Sequence, residues 1–572
     1  MADISQEYNT KVDRKLPLVN VGSRDAPIYV PAEFVEILPG QSLKAKLSPN
    51  DQSAMINFSC RTASVNAESI TTGGRRLLSL DANPLLARFG ITIDKGLMTV
   101  KGRELNPPRI VYTGGASEPK SGSWNMKYRK VFRPGAHITK WNFLSFKGRP
   151  AHHDTQTAAN SFASWMAEGV GININPKPLT LGGLEVDFTE QAIKAAFDKL
   201  SQDKPQLVLV FLRTKDAARY SQIKQLGDCD YGFHTVCLTD KVFSSNQKDY
   251  FTNVGLKVNL KFGGVNHKLQ TENPLIRQGK TMVAGYDVTH PTNMSQGAPA
   301  NAPSIVGLVA SVDTTLSQWP ACVWNMSGKT EMLDNTLVDG FKSRLALWQK
   351  HNKDQLPSNI VIFRDGVSEG QFNQVLEKEL PYIRKACSEK YKAGTAPRIT
   401  LIVSVKRHQT RFYPTDEKHQ MNKSPKEGTV VDRGVTSVRY WDFFLQAHAA
   451  IKGEWLTCEC AAKVGLTRDL NPGTARPAHY TVLLDEIFRA DYGSEAANQL
   501  EKLTHDMCYM YGRATKAVSI CPPAYYADLV CTRARAHNAN LFEGSDSASV
   551  SSGSSAALSK VHNSMQDTMY YV

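Results

Sequence analysis

Four carboxylates stand where a chain could gather them for metal-assisted chemistry. Asp287 closes the apolar run TMVAGY (281–286), and Asp365 follows Arg364 at the end of NIVIF (359–363). Glu331 comes after ACVWNM (321–326) in the stretch SGKTE. Asp528 lies in PPAYYADLVCTRARAH (522–537), whose two prolines mark a first helical turn. A carboxylate at the end of a buried strand sits at the rim of a sheet. Neighbouring strands bring such groups together, and like charges held close repel unless a cation lies between them. Hard oxygen ligands select Mg²⁺ or Mn²⁺. Two such ions, about 3.5–4 Å apart, can activate a water and stabilise the leaving oxygen of a phosphodiester. An Asp after a strand is also commonly a turn residue or a helix cap, and spacing alone does not bring the four together.

Positioning them requires an α/β scaffold. Apolar runs at 281–286, 304–312, 321–326, 359–363 and 399–405 read as strands, with helices at about 334–350, 370–391, 494–513 and 523–537. Upstream, QLVLVFL (206–212) is the short continuous run of a strand buried on both faces. LKVNLKF (256–262) alternates as a half-buried strand does, and GININP (171–176) is strand-like. Helices are expected at about 156–168, 189–200 and 83–89. Residues 543–557, EGSDSASVSSGSSAA, are Ser-rich and low in complexity.

The 572 residues suggest three or four compact units. The net charge of +14 suits a polyanionic partner, nucleic acid first, or serves solubility alone. Ten cysteines show no repeating metal spacing, and Cys458 and Cys460 are too close for a standard zinc site. Reduced thiols fit a cytoplasmic protein, with the nucleus as a second compartment. The start MADISQEYNT lacks the apolar centre of a signal peptide, and no run of 18 apolar residues occurs.

The segments YDVTHP (286–291), FRDGVSEGQFNQVL (363–376), KRHQTRFYP (406–414), GTVVD (428–432), ARPAHYTVLLDE (475–486) and VSICPPAYYADLVCTRARAH (518–537) resemble, in order, the PIWI domain of eukaryotic Argonautes. LKVNLKFGGVNHKL (256–269) resembles the end of the family's MID domain, and YVPAEFVEILPGQ (29–41) its exit from the PAZ domain. The resemblance implies an α/β multidomain chain. Residues 1–45 would be a PAZ remnant and exit segment, 46–152 linker 2, 153–275 a Rossmann-like MID domain and 276–572 an RNase H-like PIWI domain. The family's N-terminal domain and most of PAZ have no counterpart here, and 453–473 looks like an insertion.

By that resemblance, Asp287, Glu331, Asp365 and Asp528 are the catalytic set, with Asp528 where many relatives carry His. Asp287, Asp365 and Asp528 would hold two Mg²⁺ (or Mn²⁺) ions, and Glu331 would join when its loop swings in on pairing. The implied activity is small-RNA-guided cutting of a complementary target RNA, leaving a 5′ phosphate and a 3′ hydroxyl, in company with silencing-complex proteins. Tyr220, Lys224, Lys257, Lys261 and Arg533 match the pocket for the guide's 5′ phosphate. Tyr220 and Lys224, four apart, would share a helix face; Lys257 and Lys261 would share a strand face. Val236 stands where the family often has Gln, leaving the phosphate one donor short unless Thr235 or His234 substitutes. The loop Arg213–Asp216 would face the first base. Lys406, Arg411, His479, Tyr511, Arg513, Ser519 and Tyr525 match positions along the guide backbone. Two other readings compete: a guide-binding silencing module that never cuts, and an RNase H-like transposase or recombinase acting without a guide.

Overall fold

A computed structural model describes residues 13, 15–22, 26–36, 38, 51, 54–55, 58–148, 154–178, 183–213, 216–243, 247–291, 302–328, 330–415, 424–449, 474–542 and 558–572. The insertion with Cys458 and Cys460, the Ser-rich stretch, and Thr214 and Lys215 of the expected base-facing loop lie outside them. The chain divides into two units, 1–60 and 61–572. In the first, β1 (Leu18–Asn20) pairs antiparallel with β2 (Tyr29–Pro31).

The second unit is built on two large sheets. The smaller has four parallel strands in the order β7 (Leu184–Val186), β6 (Trp141–Phe146), β8 (Leu207–Phe211), β9 (His234–Leu238). Strand β6 precedes residue 153, the sequence-based opening of the MID segment. Helices cover both faces, which is why β8 is apolar throughout. One face packs on α1 (Thr155–Trp165) through Phe162 and Ala163. The other meets α2 (Glu190–Gln202) and α3 (Ala217–Gln225) through Ile193, Phe197 and Ile223. Each helix starts at a side-chain cap: Asp154, Thr189 and Asp216 accept from backbone N–H groups of their first turns.

Two sequence expectations fail here. Residues 256–261 are the end of a helix, α4 (Gln247–Lys261), and not a strand. Leu256 and Val258 pack into the core beside the small sheet while Leu260 packs into the core of the large one. A helix apolar on opposite sides produces an alternation that mimics a strand. GININP likewise contributes one isolated bridge, Ile138 to Ile174, and no strand.

The larger sheet has nine strands in the order β13 (Ala321–Met326), β12 (Ser304–Ala310), β11 (Thr281–Thr289), β14 (Asn359–Asp365), β15 (Arg398–Val405), β18 (Ala478–Asp485), β17 (Trp441–Gln446), β16 (Thr429–Val431), β3 (Arg103–Glu104). Strand β3 comes from the linker segment, which also supplies β4 (Ile110–Tyr112) and β5 (Gly115–Ser117) to a small sheet with β10 (Lys268–Leu269). One face of the large sheet packs on α5 (Thr336–His351) and α6 (Leu380–Lys390) through Phe341, Leu345 and Ile383. The other packs on α7 (Ala496–Cys508), α8 (Pro522–His537) and the tail residues Met565 and Met569–Val572. No helix among the described residues is long and apolar enough to cross a membrane.

Candidate functional site

Strands β11 and β14 run parallel with Tyr286 opposite Arg364, so Asp287 and Asp365, the next residues, stand on neighbouring strands; β11 runs on past Asp287 to Thr289, where the sequence expects it to end, while Asp365 is the last residue of β14. Helix α8 lies close over β11 and β12 because two glycines face it. A Cβ on Gly285 would stand 2.3 Å from the Pro523 backbone, and one on Gly307 would stand 2.7 Å from the Ala527 carbonyl oxygen. That approach presents Asp528 to the strand ends, and Cys531 Sγ lies 3.6 Å from the Asp287 carbonyl oxygen. Burial, with Asp528 and Glu331 adding negative charge, pushes the Asp287 carboxyl up to about 6, against the pull of Arg364. Burial and then the charges of Asp287 and Asp528 push Asp365 well above the usual carboxylate range. Burial raises Asp528 too, with Arg407 opposing. Among the described residues no three His, Cys, Asp or Glu side chains stand close enough to enclose a metal ion as placed.

Glu331 is already seated beside this group, where the sequence reading expects it to swing in. His290 Nε2 lies 2.5 Å from its Oε2, and Arg364 Nη2 donates to its Oε1 at 2.8 Å. Both anchors are themselves held. Ser304 Oγ meets His290 Nδ1 at 2.9 Å. Arg364, fully buried, also donates to the buried Glu379 carboxylate at 3.2 Å, which accepts from Tyr286 Oη at 2.9 Å and from Leu333 N at 3.1 Å. Sequence reasoning missed His290, Arg364 and Glu379. Their signal is a charged residue inside an apolar strand, since an Arg buried in β14 demands carboxylates around it.

The second site lies between the two sheets. Lys224 of α3 donates to the Thr235 carbonyl oxygen at 2.8 Å and hydroxyl at 2.9 Å. Tyr220, one turn back, has its ring 5.5 Å from the Lys224 ammonium and its hydroxyl 3.3 Å from Arg533 Nη2. Lys261 donates to the Tyr570 carbonyl oxygen, which also accepts from Arg533 Nη1 at 2.9 Å. Lys257, one helical turn before Lys261, is pushed down to about 8 by burial and by Arg513, Lys224 and Arg533. Burial and Arg533 lower Lys261 well below its ordinary value. Asp228 counters these cations: Arg533 Nη1 lies 2.6 Å and His537 Nε2 3.0 Å from its Oδ2. Burial works against its charge, but Arg533, His537 and Lys261 hold the Asp228 carboxyl well below the usual range. Asp228, His537 and Tyr570 were not read from the sequence. Val236 points into the apolar core, as strand alternation requires when Thr235 faces Lys224. His234 is buried and pushed down to about 3 by that burial and by Lys261.

The remaining positions form a string of cations and rings past the end of β15. Lys406 donates to Ser519 Oγ, and Arg411 Nη1 to the carbonyl oxygens of His408 and Thr410 at 3.0 and 2.8 Å. Arg476, missed in the sequence, faces Lys406, His408 and Arg411. His479 stacks on Phe444 and meets Asp442. Arg513 faces Lys257 and Lys261, at the cation pocket. Tyr511 is buried, stacked on Tyr526 and edge-on to the half-buried Tyr525.

The family model for the Piwi domain matches residues 207–460 and 469–539, more than half of the chain. The chain belongs to the Argonaute family. A second model, for the Argonaute linker 2 domain, matches residues 65–112. Protein argonaute 1A of Oryza sativa subsp. japonica is 32% identical over 575 residues, covering 94% of this chain and 49% of that protein. The chain spans about half the length of the curated relatives it matches. Among solved structures, the MID-PIWI domains of N. crassa QDE-2 are 40% identical with a TM-score of 0.56, covering 77% of this chain and all of that one. Kluyveromyces polysporus Argonaute, solved with a guide RNA, is 28% identical with a TM-score of 0.76, covering all of this chain and 64% of that one. The four-stranded and nine-stranded sheets of this Argonaute are thus its Rossmann-like MID and RNase H-like PIWI folds.

Proposed function

We propose that this Argonaute segment binds a small guide RNA by its 5′ phosphate between MID and PIWI and cuts the paired target RNA at the carboxylate cluster. The observation that carries the cutting half is the seated Glu331 beside Asp287, with Asp528 raising the proton affinity of both Asp287 and Asp365. A crowded all-oxygen donor set is one that a hard divalent cation relieves. Asp287, Asp365 and Asp528 would hold Mg²⁺ or Mn²⁺. When bound, two such ions supply positive charge to the attacked phosphate and make water a stronger nucleophile.

The chain's own residues do the positioning. His290 and Arg364 hold Glu331 on the Asp287 side of the cluster. Lys224, Lys257, Lys261 and Arg533 offer the guide's terminal phosphate charge-assisted hydrogen bonds, and Tyr220 offers its first base a ring to stack on. Thr235 holds Lys224 at the wall of that pocket, while Val236 gives the phosphate no donor. Contacts to the guide backbone along Lys406, Arg411, His479, Arg513, Ser519 and Tyr525 carry no sequence information, so pairing of guide and target sets which phosphate reaches the carboxylates.

The test is cleavage of a labelled complementary RNA by the chain with a 5′-phosphorylated guide and Mg²⁺. A single cut at a fixed distance from the guide's 5′ end, lost in Asp365→Ala with guide binding kept, is expected. Tight guide binding with no cut under Mg²⁺ or Mn²⁺ would leave a binding module instead.

A further inference from the structure

His479 is clamped on two sides. Strands β17 and β18 are antiparallel with Phe444 directly opposite His479 and Asp442 opposite Thr481, so Asp442, Phe444 and His479 share one face of the sheet. The Phe444 and His479 rings lie parallel, their planes 9° apart and their centroids separated by 4.2 Å. Asp442 Oδ2 stands 2.6 Å from His479 Nε2, while Ser437 N donates to Asp442 Oδ1 at 2.9 Å. The carboxylate is buried and fixed from both ends; the imidazole is partly open.

This arrangement decides what the free edge of the ring can do. A carboxylate only accepts hydrogen bonds, so Nε2 carries the hydrogen. In the neutral ring Nδ1 is then a bare lone pair, which repels a phosphate oxygen. Only the doubly protonated ring donates from Nδ1, so a phosphate bound on that side selects that form.

We propose that Asp442 is a positioning residue for guide binding: it holds His479 so that the ring meets a backbone phosphate through Nδ1–H, and the ring takes up one proton when guide RNA binds. The proposal rests on the guide-binding reading of this surface. The other titratable group facing the ring is His408, edge-on at 6.2 Å, which itself faces Arg411 and Arg476; Lys406 lies beyond, facing Arg476. His408 donates from Nε2 to the Pro477 carbonyl oxygen at 2.9 Å, and burial favours its neutral form. Asp442 is the carboxylate in hydrogen-bond reach of the ring.

The test is the affinity of the chain for a labelled RNA guide from pH 5.5 to 8.5. A 5′-hydroxyl guide is used so that the terminal phosphate, whose second ionisation falls near pH 6, does not contribute. One linked proton weakens binding by up to about tenfold per pH unit on the alkaline side, so affinity should fall about tenfold between pH 6 and 8. In Asp442→Asn and His479→Gln the same interval should change affinity less than about twofold. His479→Gln keeps the experiment decisive if Asp442→Asn unfolds. A wild-type affinity flat with pH, or the same slope in His479→Gln, overturns the proposal while leaving guide binding intact. Failure to bind a 5′-phosphorylated guide at any pH removes the guide-binding reading itself.

Discussion

Single residues carry the sharpest consequences where charge is buried. Arg364 neutralises Glu379 and anchors Glu331 at once. Replacing it by Met leaves Glu379 buried with Tyr286 and a backbone N–H as its remaining partners, and losing one side of a buried pair costs about 3–5 kcal/mol. Arg364→Met is expected to lower the unfolding free energy, read from denaturant titration, by that amount. His290→Ala spares the core but leaves Glu331 held by Arg364 alone, so cutting should slow by about tenfold or more, ~1.4 kcal/mol in barrier, with guide affinity unchanged. Lys257 shows the opposite economy. Its ordinary value is 10.5, and burial with three neighbouring cations brings it to about 8. Between those limits the unfolded chain binds the proton and the folded chain does not, so stability rises with pH across that window. Below pH 8 the buried charge destabilises the guide-free protein. Lys257→Met should therefore stabilise it at pH 7, by up to about 3 kcal/mol at ~1.4 kcal/mol per tenfold change in proton affinity. The gain should shrink as pH climbs from 8 towards 10, and affinity for a 5′-phosphorylated guide should fall. Thermal melts against pH and guide titrations read both.

At the scale of the element, α8 serves both sites. Asp528 faces the strand ends and Arg533, five residues on, faces the cation pocket. Its seat depends on Gly285 and Gly307, where added carbons would collide with Pro523 and Ala527 backbone atoms. Gly307→Val is expected to push the helix off the sheet, with overpacking costing about 1–3 kcal/mol, and to depress guide binding and cutting together. A variant that lost only one would show that the helix moves in parts. Much of this scaffold was legible beforehand. The strands that carry Asp287 and Asp365 contain continuous apolar runs, and buried parallel strands leave that mark. Helix α4 was not legible, because it touches two cores and its apolar positions alternate as a strand's do. The anchoring of Glu331 was hidden for another reason: His290, Arg364 and Glu379 are far apart in sequence and meet only through the register of β11 and β14.

At the scale of the whole second unit, the two sheets are joined by the tail. His562 N donates to the Asp228 carbonyl oxygen at 3.0 Å, and Ser564 Oγ to that of Gly232 at 2.8 Å, both just before β9. The same segment enters the core of the nine-stranded sheet at Met565, and further on Tyr571 Oη donates to the Trp319 carbonyl oxygen at 2.7 Å. Between these points the Tyr570 carbonyl oxygen accepts from both Lys261 and Arg533, one cation from each sheet's side of the pocket. The tail thus sets the spacing of the cations as well as filling the core. Removing Tyr570–Val572 withdraws that acceptor together with two buried tyrosines, each worth about 1.5–3 kcal/mol or more of apolar burial. The truncated chain is expected to melt at a lower temperature. If it is refolded at low temperature, its preference for a 5′-phosphorylated over a 5′-hydroxyl guide should shrink, because Lys261 and Arg533 lose their common anchor. A truncation that lowered the melting temperature while preserving that preference would confine the tail to packing and leave the pocket to α3, α4 and α8.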